Sequence, residues 1–283
     1  MTGPAWRLPF TKMHGAGNDF VFLDHRELPA GWQATREVVA FLCDRRLGVG
    51  ADGLIVVGPG RAGETDFRMT YYNADGGEAE MCGNGARCTV AFARARGLCG
   101  EECRFDTFSG VLSGRVHGPE DIAVTLPAWK DLDLAVELPD SPFAAHYACN
   151  TGVPHLVIPV DDIEDFDLRR WGAALRHHDR FAPAGTNVNW VQRDPASGEF
   201  LLRTYERGVE DETLACGTGA SATAVVLSRL GQAGNPVAVR TRGGDLLRIT
   251  VGGDDRRLEL RGPAVTSFTG EIATAHPRKE STT

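Results

Sequence analysis

The sequence predicts an α+β fold built from two pseudo-symmetric domains, and three observations carry that prediction. Met81-Cys82-Gly83-Asn84-Gly85-Ala86 and Ala215-Cys216-Gly217-Thr218-Gly219-Ala220 are near copies, and their cysteines lie 134 residues apart. Other features keep that offset: Thr70-Tyr71 falls on Thr204-Tyr205, Glu78 on Glu212, Thr107 and Gly110 on Thr241 and Gly244, and Leu112 on Leu246. With a drift of a residue or two, Gly17 meets Gly152, Gly50 meets Gly185 and Pro127 meets Pro263. Solenoid units run about 20–50 residues, so a period this long reads as whole duplicated domains. The length of 283 residues also suits two domains of about 100–200 residues each.

Short β-branched or alternating runs bounded by Gly or Asp predict strands at Asp19–Asp24, Gly53–Val57, Phe67–Tyr72, Cys103–Thr107, Leu112–Val116 and Ile122–Leu126. Helices are predicted over Thr35–Arg46, with Thr35 as N-cap, and over Gly83–Arg96, stopped by Gly97. The second half repeats the order. Strands are predicted at His155–Val160, Val188–Gln192, Phe200–Tyr205, Val237–Thr241, Leu246–Val251 and Leu258–Leu260, with helices at Leu168–His177 and Gly217–Leu230. Pro and Asp cluster over Pro127–Pro142, which marks the boundary. The first domain is therefore assigned to residues 1–130, with a returning strand near 264–274, and the second to 131–263. Residues after Ala275 read as a polar, disordered tail.

Composition bounds the function. The net charge of −8 is spread without long runs, which argues against nucleic acid and against an anionic membrane surface. No apolar stretch approaches the ~18 residues of a membrane span. Met1-Thr2-Gly3-Pro4-Ala5-Trp6 lacks a basic region followed by an apolar core, so no signal peptide is expected. Seven cysteines, an odd number in a long chain, point to reduced thiols and a cytoplasmic setting.

Each paired cysteine stands just before a Gly-polar-Gly step that opens an Ala-rich helical run. A thiol at a helix N-terminus meets free N–H groups and the positive dipole end, which favour thiolate. The same N–H groups suit a substrate carboxylate. Two such devices can put one sulfur on each side of a carbon atom, as stereoinversion at a carbon acid requires. Cys43, Cys88, Cys99, Cys103 and Cys149 read as ordinary small apolar residues. Cys99 and Cys103 lie four apart, but no further ligands complete a metal site.

Gly15-Ala16-Gly17-Asn18-Asp19-Phe20 reads equally as a loop aiming polar atoms into a cleft and as a simple turn before a strand. Asn73, in Asn73-Ala74-Asp75-Gly76, and Asn187 share that ambiguity. An Asn amide offers donor and acceptor, which suits an amino acid. Arg207 can clamp a carboxylate bidentately, and Glu206 can hold an ammonium group. A surface ion pair at a strand end is their plain alternative. His155 could tune a nearby thiol.

Together these residues resemble the diaminopimelate epimerase family. The matching segments are Lys12-Met13-His14-Gly15-Ala16-Gly17-Asn18-Asp19-Phe20, Asn73-Ala74-Asp75-Gly76 and Cys82-Gly83-Asn84-Gly85-Ala86-Arg87-Cys88. The second half adds Gly185-Thr186-Asn187-Val188-Asn189, Tyr205-Glu206-Arg207-Gly208 and Ala215-Cys216-Gly217-Thr218-Gly219-Ala220. The resemblance implies two α+β domains, each a β-barrel-like sheet around a central helix, with an amino-acid substrate in the cleft between them. It also implies a homodimer, no cofactor, no metal, and a role in lysine and cell-wall biosynthesis.

By position, it implies Cys82 and Cys216 as the acid–base pair. Asn18, Asn73 and Asn187 would hold the substrate's polar groups, and Gly83-Asn84 and Gly217-Thr218 would supply N–H groups. Glu206 and Arg207 would contact the distal end and the ammonium region, and His155 and Glu206 would assist the thiols. The chain departs from the family pattern at Gly53, where Gln is frequent, and at Val153, where Asn is frequent. Proline-type and histidine-type racemases of the same superfamily and a non-catalytic amino-acid-binding module are the rival readings. A dithiol redox protein would need Cys-x-x-Cys, which the sequence lacks.

Overall fold

The computed structural model describes residues 6–78 and 82–274. Met81 and the tail expected after Ala275 lie outside the described residues. The first half runs β1 (Trp6–Gly15), β2 (Asn18–Asp24), α1 (Arg36–Cys43), β3 (Gly53–Pro59), β4 (Phe67–Asn73), α2 (Gly83–Ala95), β5 (Glu102–Thr107), β6 (Gly110–Gly118) and β7 (Asp121–Leu126). The second half begins with β8 (Lys130–Asp133), β9 (Tyr147–Asn150), β10 (Pro154–Pro159), α3 (Leu168–Arg176) and β11 (Asn187–Arg193). It continues with β12 (Phe200–Glu206), β13 (Asp211–Thr213), α4 (Gly217–Arg229), β14 (Val237–Arg240), β15 (Leu246–Val251), β16 (Leu258–Pro263) and β17 (Val265–Thr274).

The two halves pair their strands in the same way. In the first, β17 lies beside β1, and the order continues β2, β3, β4, β5, β6, β7, parallel at β2/β3 and β4/β5. In the second, β8 lies beside β9, and the order continues β10, β11, β12, β14, β15, β16, parallel at β10/β11 and β12/β14. β7 and β16 then pair antiparallel from Leu126↔Leu258 to Asp121↔Pro263 and join the halves into one sheet.

Each half wraps its sheet around one helix. α2 buries Gly83 through Val90 against Phe20, Phe22, Ile55, Val57, Phe67, Met69 and Phe105. α4 buries Gly219 through Leu227 against Val157, Val191, Leu202, Val239, Leu247 and Ile249. Small residues let the strands close on a helix buried on every side, and the polar groups it buries, such as Asn84, Arg87 and Thr89 of α2, must find hydrogen-bond partners. α1 and α3 cover the outside. Val21, Leu23, Leu54 and Val56 point out toward α1, and Leu156, Ile158, Val188 and Trp190 toward α3. Strands covered on both faces read as continuous apolar runs, as Phe20–Leu23 does.

The helices stop for local reasons. Thr35 Oγ1 accepts the Val38 N–H, as its N-cap role requires. α1 ends at Cys43 rather than Arg46, because Asp44 turns extended and its carboxylate accepts the Arg46 and Leu47 N–H groups. α2 ends with Gly97 at φ +67° and the Leu98 N–H on Ala93 O. β1 was not among the expected strands. Its Pro9 lies where β1 pairs with β17 alone, since β2 begins its pairing at Thr11. Among the described residues no helix is long and apolar enough to cross a membrane.

Candidate active site

Cys82 and Cys216 are the N-cap residues of α2 and α4. Each has extended backbone, and each sulfur accepts the N–H three residues on: Gly85 to Cys82 at 3.4 Å and Gly219 to Cys216 at 3.3 Å. The two helix starts abut. A Cβ added to Gly83 or to Gly217 would lie 2.8 or 3.0 Å from the same Leu260 Cδ2 atom. One on Gly217 would also lie 3.2 Å from Asn84 Oδ1. Glycine at both positions is what lets the two N-termini meet.

Burial sets the protonation of the sulfurs. It pushes Cys82 up to about 11, against the pull of the Gly85 and Asn84 amides and with the aid of the Glu206 charge. It pushes Cys216 higher still, and here too Glu206 raises while Thr218 and Gly219 lower. The sequence expectation of favoured thiolates is corrected accordingly. The helix N-termini do lower both thiols, but desolvation outweighs them.

The structure brings most of the expected site residues to these helix ends. β1 and β2 form a hairpin whose two-residue turn, Ala16-Gly17, has φ of +55° and +88°. The turn brings Asn18 against Cys82, so the ambiguous Gly15–Phe20 stretch is a tight turn that also presents a polar side chain to the helix end. Gly17 packs against Leu214 of the second half. Asn18 Oδ1 accepts from Cys82 Sγ at 3.4 Å and from Asn84 Nδ2 at 3.3 Å. Asn84 Nδ2 also donates to Ala215 O at 3.2 Å, tying α2 to the residue before Cys216. Thr218 Oγ1 lies 3.4 Å from Cys216 Sγ.

Glu206 has a raised pKa, chiefly through burial, and accepts from Thr213 Oγ1 at 2.9 Å. Asn187 bridges Pro154 O and the Arg207 N–H. Arg207 reaches Ala184 O at 3.4 Å, and Asn73 stands exposed at the end of β4. His155 is buried, and desolvation lowers it to about 3. Its Nδ1 lies 3.2 Å from the Asn189 amide nitrogen, which makes it the acceptor, so the proton sits on Nε2. That Nε2 is buried without a partner among the described residues.

Several residues here were not singled out in the sequence. Arg87 is fully buried and donates to Gly83 O, Asn84 Oδ1 and Pro263 O. An arginine inside an Ala-rich helix was the available signal. Asn189 is fully buried and links Leu156 O, His155 and Thr204. Asp52 accepts from Asn18 Nδ2 at 2.7 Å. Tyr71 explains Gly53: a Cβ there would lie 2.5 Å from the Tyr71 ring, which fills that space. Among the described residues no group of three or more His, Cys, Asp or Glu side chains is placed to hold a metal ion.

Comparison with known proteins agrees with this geometry. The family model described as diaminopimelate epimerase matches residues 10–126 and 147–267. Diaminopimelate epimerase from Aquifex aeolicus (strain VF5) is 41% identical over 276 residues, covering 94% of this chain and 98% of its own. The enzyme from Gemmatimonas aurantiaca is 41% identical over 283 residues, covering 94% and 99%. Among solved structures, a hydroxyproline epimerase from Agrobacterium vitis with bound trans-4-hydroxy-L-proline superposes with a TM-score of 0.74 at 16% identity, covering 98% of this chain and 95% of its own. A PhzF-family phenazine biosynthesis protein from Enterococcus faecalis does so with 0.70 at 17%, covering 94% and 99%. These structures share the fold, while the family model and the close relatives share the sequence over nearly the whole chain. With its two cysteine-capped helix ends meeting at Leu260, this chain is an isomerase that belongs to the diaminopimelate epimerase family.

Proposed function

We propose that the chain interconverts LL- and meso-2,6-diaminoheptanedioate by proton transfer between two thiols, without a cofactor, in lysine and peptidoglycan biosynthesis. The observation that carries the reading is the meeting of two cysteine-capped helix N-termini over Leu260. One sulfur, as thiolate, takes the α-proton from one face and becomes a thiol. The carbon is left planar and carbanionic. The other sulfur, as thiol, gives its proton to the opposite face and becomes the thiolate. The N–H groups of Gly83-Asn84 and Gly217-Thr218 hold the reacting carboxylate as negative charge grows on it. Preorganised donors of this kind contribute about 2.7–4 kcal/mol each in acyl-transfer sites.

Asn18, Asn73 and Asn187 hold the remaining polar groups, and Glu206 and Arg207 hold the ammonium region and distal end. His155 and Glu206 assist the thiols. Residues 1–130, completed by 264–274, and residues 131–263 act as the two domains that flank the substrate. The enzyme works in the cytoplasm as a homodimer. The outer edge of β17, where Phe268 is half exposed, is one open edge of its sheet among the described residues.

The test is NMR of LL-to-meso conversion, with reductant present and nothing else added, alongside α-proton exchange in D₂O for diaminopimelate, proline and histidine. Exchange and inversion of diaminopimelate alone are expected. Cys82→Ser is expected to abolish turnover. Inversion of proline or histidine in its place, or full turnover by the serine variant, would overturn the assignment.

A further inference from the structure

Asn18 reaches the site through a chain of hydrogen bonds whose direction is fixed. The Asp52 carboxylate can only accept, so the nitrogen of the Asn18 amide must face it; Nδ2 donates to Asp52 Oδ2 at 2.7 Å. The Asn18 carbonyl oxygen therefore faces the other way, toward Cys82 Sγ at 3.4 Å and Asn84 Nδ2 at 3.3 Å. Asn84 has the same polarity for its own reasons. Its nitrogen donates to Ala215 O, and its oxygen accepts from Arg87 Nη2 at 2.9 Å.

Asp52 is itself held. Arg45 Nη2 donates to Asp52 Oδ1 at 2.8 Å, and Arg45 also binds both oxygens of Asp19, at 3.0 and 2.8 Å. The Asp19 N–H donates to Asp52 Oδ2, and the Asp52 N–H to Asp19 Oδ1. Lys12, buried beneath, pairs with Asp19 at 2.7 Å. A charged frame thus ends at one amide, and the amide ends at one sulfur.

We propose that Asp52 is a positioning residue for the reaction: it locks the Asn18 side chain with its carbonyl oxygen against the Cys82 sulfur, so that Asn18 serves as acceptor for the thiol hydrogen. Among the described residues, Cys216 instead has the Thr218 hydroxyl as its side-chain hydrogen-bond partner, able to donate as well as accept. The two sulfurs are therefore inequivalent before substrate arrives. The relay gives the Cys82 thiol hydrogen a fixed carbonyl acceptor, whereas the hydroxyl beside Cys216 can turn to either role. This rests on the two-thiol reading above and deepens it.

The test is read without substrate. The rate of iodoacetamide alkylation of Cys82 is followed against pH by mass spectrometry of its peptide, in the parent, Asp52→Ala and Asp52→Asn. The midpoint reports thiolate formation and does not depend on reagent access. Removing an acceptor of the thiol hydrogen favours thiolate, by roughly threefold to tenfold at a given pH, so Asp52→Ala is expected to move the midpoint down by about half to one pH unit. Asp52→Asn keeps a carbonyl oxygen for the Asn18 and Asp19 N–H groups, and its midpoint is expected to stay with the parent. Equal shifts in both variants would mean that the carboxylate acts through its charge, and would overturn the proposal. So would no shift in either, or a shift in Asp52→Asn alone. Failure to turn over diaminopimelate would leave these midpoints readable, so the two readings can fail separately.

Discussion

Gly85 and Gly219 occupy the same place in α2 and α4, three residues after the capping cysteine, yet alanine should be tolerated at one and not at the other. A Cβ at Gly219 would lie 2.2 Å from Asn189 Oδ1 and 3.3 Å from Cys216 Sγ. Asn189 would have to withdraw by about 1 Å to restore ordinary packing distance. It is fully buried, and Thr204 Oγ1, at 2.9 Å, and Leu156 O, at 2.9 Å, fix both ends of its amide. Leaving such a buried group unsatisfied costs about 1–3 kcal/mol, and overpacking costs about 1–3 kcal/mol more. The helix preference for alanine returns about 1 kcal/mol. Gly219→Ala should therefore lose about 1–5 kcal/mol of stability. At Gly85 the nearest atoms are Ile55 Cδ1 at 3.0 Å, Met69 Cε at 3.3 Å and Phe20 Cζ at 3.5 Å. Two of these are tips of flexible side chains, and small adjustments relieve the contact. Gly85→Ala should stay within about 1 kcal/mol of the parent. Urea unfolding of the three proteins under identical conditions gives the comparison. Equal losses, or a greater loss at Gly85, would refute the argument that Asn189 makes the second site rigid.

Two further outcomes follow from the charges. Glu206→Gln removes the buried carboxylate that raises both thiols, so the Cys82 alkylation midpoint should fall. If Glu206 also holds the substrate ammonium, KM for diaminopimelate should rise roughly tenfold or more, the scale of a charged hydrogen bond. Burial pushes Asp19 upward, but the hydrogen bonds from Arg45 and Lys12 prevail and bring it down to about 2 from 3.8. A depressed carboxylate adds stability above its unfolded pKa and loses it as pH falls toward the folded one. About 2 kcal/mol should therefore disappear between about pH 4 and pH 2, and Asp19→Asn should lack that component of acid unfolding when urea midpoints are compared across this range.

The architecture was legible where the chain repeats itself. The 134-residue offset places α2 and α4 at equivalent starts, Gly83 and Gly217, and the capping thiols follow from the Cys-Gly-x-Gly pattern. The apolar runs at Phe20–Leu23 and Gly53–Val57 stand out because both faces of those strands are covered. β1 was hidden because its only outer partner, β17, lies at the far end of the chain. The protonation of the sulfurs was hidden too. A helix N-terminus is visible in a sequence, whereas the depth at which it is buried depends on strands from both halves. Arg87 and Asp52 were missed for a related reason. Their distant partners, Pro263 and Asn18, lie 176 and 34 residues away, and no local pattern names them.

The strand order has a consequence for how the protein is made. The second half finds its outer strand nearby, since β8 directly precedes β9. The first half must wait for β17, which pairs with β1 from Trp6↔Thr274 to His14↔Val265. During translation the half made first is thus the last to be completed. Until β17 is made, the outer edge of β1 is open to any passing strand. The late-made half can close on its own outer strand while the early-made one is still waiting, the reverse of ordinary N-to-C order.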